Sequence, residues 1–243
     1  VQQRLPSLLN PPLAFGHRGA RSLAPDNTLS SFELALKLGA NGLETDAWLS
    51  ADGVVILDHD GVVRRMGRNR PLSTLDVDKR ASHMPTLIDF FDTCGVSFDL
   101  SIDVKDAAAF SAIVETADKH GFDRQRLWLC HHKVEILVEE RTRFEDVRFV
   151  DSSRLSRIKE GAERRLAFLA DHGIDVLNMH HTDWNGGLVT MAHKFGVLAF
   201  GWDAQFNHVL ENGYRMGLDG MYSDYIDRLV DVYDQQIGHV PRR

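Results

Sequence analysis

Two histidines stand where short apolar runs give way to polar residues: His17 in Phe15-Gly16-His17-Arg18-Gly19, and His59 in Ile56-Leu57-Asp58-His59-Asp60-Gly61. A pair of imidazoles can supply the base and the acid that displacement at a phosphodiester needs. Arg18 adds a guanidinium that can fork onto phosphate oxygens, and the flanking glycines let backbone approach a ligand closely. Either histidine alone would more often belong to an ordinary loop. Their weight comes from occurring together.

Carboxylates form the second constellation. In Glu44-Thr45-Asp46 the two-residue period of a strand puts both acids on one face. Two inward carboxylates are hard to keep charged without a cation, and their oxygens suit a hard divalent ion, Mg²⁺ or Ca²⁺, better than zinc. An exposed edge strand with solvated acids is the bland alternative, disfavoured by the apolar flanks. In Asp103-Val104-Lys105 the acid and the base also share a face, so Asp103 could complete a three-carboxylate metal site while Lys105 neutralises a phosphate oxygen. A ligand-free Asp103–Lys105 ion pair would leave Glu44 and Asp46 unexplained.

These residues need a scaffold that brings strand ends together. Short β-branched runs alternate with helical periodicity, the pattern of βα units around a parallel sheet. The strand runs are Leu13–Gly16, Gly42–Trp48, Ser97–Val104, Leu127–Cys130, Val147–Val150, Ile174–Asn178, Val197–Trp202 and Gly220–Ser223. Between and after them lie helical stretches: Thr28–Leu38, Thr86–Cys94, Ala107–His120, Lys133–Arg143, Lys159–His172, Gly187–Lys194, Asn207–Met216 and Tyr225–Gln236. Gly39, Gly95, Gly121, Gly173 and Gly196 each stand at a helix stop. The count predicts a TIM (β/α)8 barrel, an α/β fold whose active sites gather at the carboxyl ends of the strands. The segment from Val54 to Pro85 breaks the pattern; it reads as a short strand, Val54–Leu57, then a basic, polar loop elaborating the second βα connection.

At 243 residues, 43% of them hydrophobic, the chain suits one barrel domain over residues 1–243. A formal net charge of -7 argues against a nucleic-acid partner. An anionic substrate must therefore be met by local positive charge. The two cysteines, Cys94 and Cys130, show no disulfide or zinc spacing and read as buried, inert thiols. No run is long enough to span a bilayer. The expected location is cytoplasmic, with a removed signal peptide left open because the chain starts at Val1.

In order and spacing, His17-Arg18-Gly19, Asn27-Thr28, Glu44-x-Asp46, Asp52-Gly53, His59-Asp60 and Asp103-x-Lys105 resemble the glycerophosphodiester phosphodiesterases, and the likeness runs on through Trp202 to Gly217-Leu218-Asp219-Gly220 and Ser223-Asp224-Tyr225. That resemblance implies metal-dependent hydrolysis of glycerophosphodiesters to glycerol 3-phosphate and an alcohol, directly or through a 1,2-cyclic phosphate. It implies Glu44, Asp46 and Asp103 as ligands of one divalent cation, Mg²⁺ or Ca²⁺, and His17 and His59 as the catalytic acid–base pair. Arg18 and Lys105 become phosphate contacts, and Trp202 lines the pocket for the glycerol or head group. The sequence departs from the family pattern at Asp26, Ser50, Gly61 and Ile226. At Asp103 the family usually carries Glu, and an Asp-x-Lys there is similar to the sphingomyelinase D-type phospholipases.

The alternative is a phospholipase D-like or lysophospholipase D activity on a lipid phosphodiester, which predicts an apolar rim drawn from Trp48, Trp184, Trp202 and Phe206. A phosphoinositide-type phospholipase C is less favoured, because the carboxylates imply a tightly bound metal. A non-catalytic binding barrel would be expected to lack at least one of these residues. His131-His132 and His180-His181 could border the mouth but read as structural. Arg64, Arg65, Arg68 and Arg70 read as a solvated loop able to attract an anionic substrate.

Overall fold

A computed structural model of the chain describes residues 4–65 and 67–239. The predicted domain's residues 1–3, 66 and 240–243 lie outside the described residues. Eight parallel strands close on themselves, in chain order β1 Leu13–Gly16, β2 Gly42–Leu49, β6 Asp99–Val104, β7 Leu127–His131, β8 Arg148–Ser153, β9 Val176–His180, β10 Leu198–Trp202 and β11 Gly220–Ser223. The ring is sealed where β1 pairs with both β11 and β2, Gly16 lying opposite Ser223 on one side and Leu43 on the other. Around it run α1 Leu29–Leu38, α2 Leu87–Cys94, α3 Ala109–Lys119, α4 Val134–Arg141, α5 Ala162–Asp171, α6 Gly186–Lys194, α7 Asn207–Met216 and α8 Ile226–Gln236. This is the TIM barrel that the alternation predicts.

Local chemistry sets the helix ends. Thr28 caps α1 by accepting from Ser31 N, and Thr86 with Asp89 forms a reciprocal capping box on α2. The five predicted stop glycines all adopt positive φ, the left-handed backbone that glycine enters without steric cost.

Two apolar layers follow from strand alternation. Phe15, Trp128, Phe200 and Tyr222 fill the barrel interior, while a larger core lies between strands and helices. Gly42 and Gly220 make room for the interior rings: a Cβ would sit 2.5 Å from the Phe15 ring at the first and 2.9 Å from the Phe200 ring at the second.

Strand ends differ from expectation in one direction. β8 continues through Asp151, Ser152 and Ser153, and β9 through Met179 and His180. The polar side chains of Asp151, Ser152, Ser153 and His180 hide these ends, and polar ends are what a barrel mouth carries; Met179, apolar and buried, lies among them. The elaboration also needs correction. Beyond β3 Val55–Leu57, which pairs antiparallel with β2, the basic stretch is a hairpin of β4 Val62–Arg65 and β5 Arg68–Pro71. The arginines masked the short apolar signal of Val62 and Val63; Val63 packs with Ile56, Leu72, Leu75 and Met84 in a small separate core. Among the described residues no helix is long and apolar enough to cross a membrane.

Candidate active site

His17 leaves β1 with its backbone N–H bonded to Ser223 O, 3.0 Å away. Barrel closure therefore sets it beside Asp224, the residue after the last strand. Its Nδ1 lies 2.5 Å from Asp224 Oδ1 and its Nε2 3.7 Å from Glu44 Oε2. With Nδ1–H donated to Asp224, Nε2 is the nitrogen left for proton transfer. Burial works against the charged imidazolium, but Glu44 and the Asp224 hydrogen bond outweigh it, and the His17 pKa is raised. Burial likewise opposes ionisation of Asp224, yet His17 and Arg21 hold its carboxyl below the ordinary value.

Arg18 is held in left-handed backbone, φ 52°. That turn aims its amide N–H at Glu44 Oε2, 2.9 Å away, while its side chain pairs with Asp26 and Asp46. Glu44 is buried, and desolvation together with the neighbouring Asp46 pushes its pKa up to about 7 against the opposing pull of His17. Asp46 is also buried but better compensated. Its Oδ1 meets Lys105 Nζ at 3.0 Å, and its Oδ2 accepts from Asn27 Nδ2 and lies 3.0 Å from Arg18 Nε. Although burial alone would raise its pKa, these cations hold it below the usual carboxylate range. Lys105 Nζ also reaches Asp103 Oδ2 at 2.5 Å.

A cavity of about 560 Å³ opens over these groups. Of the predicted residues, His17, Arg18, Glu44, His59, Asp103, Lys105 and Trp202 line it. Asp46 does not, but it touches Arg18 and Lys105, which do. His59 reaches the cavity from the loop after β3, with Nδ1 2.8 Å from Asp60 Oδ1. Gly61 fixes that loop: its φ is 67°, and a Cβ there would fall 2.3 Å from the Trp48 ring. Any side chain there would meet both the positive φ and the Trp48 ring.

Asp224 and Asn178 line the cavity with no role read from the sequence, and Asn27, which does not line it, supports Asp46. Asp224 could have been found from closure of the barrel, since the last strand must neighbour the first. Asn27 bridges strand and loop, accepting from Thr45 Oγ1 and donating to Asp46. Asn178 Oδ1 and Trp202 Nε1 are buried polar atoms with no hydrogen-bond partner among the described residues, on two residues that line the cavity. Cys130 is buried there as expected, its thiol pushed up by burial, whereas Cys94 is only half-buried. His131 and His132 do not line the cavity; His131 is buried and accepts the Lys133 N–H. Of the expected apolar rim, only Trp202 lines the cavity: Trp184 is buried with its N–H on Phe200 O, and Trp48 is committed to Gly61. Apart from these groups, His180, His181 and Asp203 bring potential metal-ligating atoms within 4.8 Å of one another.

His17, His59, Glu44, Asp103, Asp224, Arg18 and Lys105 thus meet at one strand-end mouth of a (β/α)8 barrel. The sequence model of the glycerophosphoryl diester phosphodiesterase family matches residues 17–228. The chain belongs to that family.

Relatives agree with this placement. YhdW of Bacillus subtilis is 24% identical over 237 residues, 88% of this chain and 95% of its own length. Glycerophosphodiester phosphodiesterase domain-containing protein 4 of Macaca fascicularis is 57% identical over 54 residues, 22% of this chain and only 9% of that longer protein. Among solved structures, the glycerophosphodiester phosphodiesterase of Thermotoga maritima superposes with a TM-score of 0.79 at 21% identity, covering 90% of this chain and 97% of its own. A phosphodiesterase of Oleispira antarctica, in complex with the product sn-glycerol-3-phosphate, gives a TM-score of 0.77 at 19% identity, over 92% and 97%.

Proposed function

We propose that the chain hydrolyses glycerophosphodiesters to glycerol 3-phosphate and an alcohol, with His17 and His59 as the acid–base pair and a divalent cation held by Glu44, Asp46 and Asp103. The observation that carries this reading is the convergence of the His17–Asp224 pair, Glu44, His59, Asp103 and Lys105 on one cavity.

Three carboxylates are the donor chemistry that a hard cation takes, and Lys105 Nζ, 3.0 Å from Asp46 and 2.5 Å from Asp103, holds the positive charge between two of them. Glu44 is a buried carboxyl raised to about 7 with another carboxylate beside it, a charge deficit that a divalent ion would relieve. Once bound, such an ion polarises the phosphoryl oxygens and lowers the pKa of an attacking hydroxyl or water. The chain's own residues supply the rest. Asp224 orients the His17 ring and stabilises its protonated form, and Asp60 Oδ1 lies 2.8 Å from His59 Nδ1. One ring removes the nucleophile's proton and the other protonates the leaving alkoxide. Arg18 and Lys105 offer positive charge to the phosphate, and Asn178 and Trp202 line the part of the cavity left for the glycerol or head group.

Lining residues that are mostly polar or charged by type, with a single tryptophan among them, favour a water-soluble diester over a lipid. The test is product analysis with glycerophosphocholine and a lysophospholipid in parallel. Glycerol 3-phosphate formed from the former supports the reading, and turnover of the lipid alone replaces it with a phospholipase D-like activity. We place the enzyme in the cytoplasm, a reading to be checked by fractionation of the source cells.

A further inference from the structure

Across the ring from β2 and β6, neighbouring strands β9 and β10 end side by side, with His180 in register with Trp202. The chain then tightens into a short 3-10 turn over His181–Asp183. On extended backbone, consecutive histidines would point to opposite faces. The turn cancels that alternation, and the two rings come together, centroids 4.5 Å apart. From β10, Asp203 completes the group in left-handed backbone, φ 61°, an uncommon conformation for a residue other than glycine. Its Oδ2 lies 3.0 Å from His180 Nε2, and its Oδ1 accepts from Gln205 Nε2 at 3.1 Å.

We propose that His180, His181 and Asp203 form a second cation site, for a borderline transition ion of the Zn²⁺ type, separate from the all-oxygen site of Glu44, Asp46 and Asp103. Two imidazole nitrogens with one carboxylate oxygen are the donors that Zn²⁺, Co²⁺ and Ni²⁺ prefer and that Mg²⁺ and Ca²⁺ avoid. Bonds of roughly 2.0–2.2 Å put neighbouring donors of a tetrahedral site about 3.4 Å apart. The 3.0 Å His180–Asp203 spacing already meets that, and the whole set lies within 4.8 Å, so small side-chain rotations close the rest. Three protein ligands leave a coordination position open for water.

The surrounding residues suit the role. His180 Nδ1 receives the Thr182 N–H weakly, at 3.3 Å, and lies 2.8 Å from Thr182 Oγ1. A cation on Nε2 moves the ring proton to Nδ1, which gives up the long Thr182 N–H bond and donates instead to Thr182 Oγ1. Gln205 steadies Asp203 and also accepts from the Asp224 N–H at 2.9 Å. A cation here ties the β9 and β10 loops together and puts positive charge on the cavity rim, since Asp203 is one of its lining residues. The proposal is independent of which diester is hydrolysed.

The experiment is a Zn²⁺ titration by calorimetry of chelator-stripped full chain, in Mg²⁺ excess so that the oxygen-donor set is already filled. Zinc-edge X-ray absorption is then measured on the 1:1 complex. One Zn²⁺ per chain is expected, with nitrogen ligands at about 2.0–2.1 Å. His181→Ala and Asp203→Asn should each weaken binding by roughly 10-fold or more, while Glu44→Gln retains it. Zn²⁺ uptake that both rim variants leave unchanged, that Glu44→Gln abolishes, or that is absent altogether would overturn the proposal. None of these results bears on whether glycerophosphodiesters are turned over.

Discussion

His17 Nδ1 lies 2.5 Å from Asp224 Oδ1, across the seam where the last barrel strand meets the first. Asp224 orients the ring and is one of the groups that raise its pKa. Asp224→Asn should therefore lower turnover by about 10²-fold and move the His17 limb of the pH–rate profile to lower pH. An unshifted profile would reduce Asp224 to a packing role.

His17→Ala and His59→Ala should each slow turnover by about 10²-fold or more, with substrate affinity much less affected. Steady-state kinetics on the two variants decide this. A near-normal rate in either removes that residue from the mechanism.

Lys105 neutralises two acids at once, Asp46 at 3.0 Å and Asp103 at 2.5 Å. Lys105→Met should destabilise the fold, because it leaves the buried Asp46 with Arg18 as its remaining ion-pair partner. Added Mg²⁺ should restore more stability to the variant than to the wild type, a comparison made by thermal melts with and without the ion. Equal Mg²⁺ effects on both would argue that the ion does not contact these carboxylates.

Gly61→Ala should cost about 2 kcal/mol or more, since it adds a Cβ at positive φ and in collision with Trp48. His59 stands two residues away, so activity should fall with stability. Thermal unfolding and kinetics on the one variant test both, and an unchanged melting point would show that the loop has room to move.

Asp151 is buried on β8, with its Oδ2 3.0 Å from Arg165 of α5. Burial outweighs the arginine and pushes its pKa up to about 6, above the roughly 3.9 of an unfolded Asp. The folded chain thus binds the proton more tightly, so this stabilising contribution is full below about pH 4 and is lost as pH rises through about 6. The Tm of wild type minus that of Asp151→Asn should fall by several degrees over that window, on the order of 2–3 kcal/mol. A difference independent of pH would contradict the shift.

The parts of the fold legible in the sequence are those where one period dominates. Gly42–Trp48 and Leu127–Cys130 stand out because both faces of a barrel strand are buried, and Gly39 marks a helix stop because few other residues take its φ. Asp151 to Ser153 and His180 do not read as strand because their polar side chains interrupt the apolar run on which a buried strand is recognised. The Val62–Pro71 hairpin was hidden because it buries little beyond Val63. In the site, His17 and His59 could be read from their position at strand ends and Glu44 from the two-residue period it shares with Asp46, whereas the Asp224 contact depends on pairing between residues 207 positions apart. The His180–His181–Asp203 group needed a turn that no periodicity announces.

The most direct test of the account is a phosphorus NMR time course of glycerophosphocholine with the intact chain, first with chelator and then with Mg²⁺ or Ca²⁺ restored. The account predicts no turnover under chelation and a glycerol 3-phosphate resonance that grows once the ion returns, with or without a transient cyclic phosphate. Turnover undiminished by chelator, or no glycerol 3-phosphate with either ion, would contradict it.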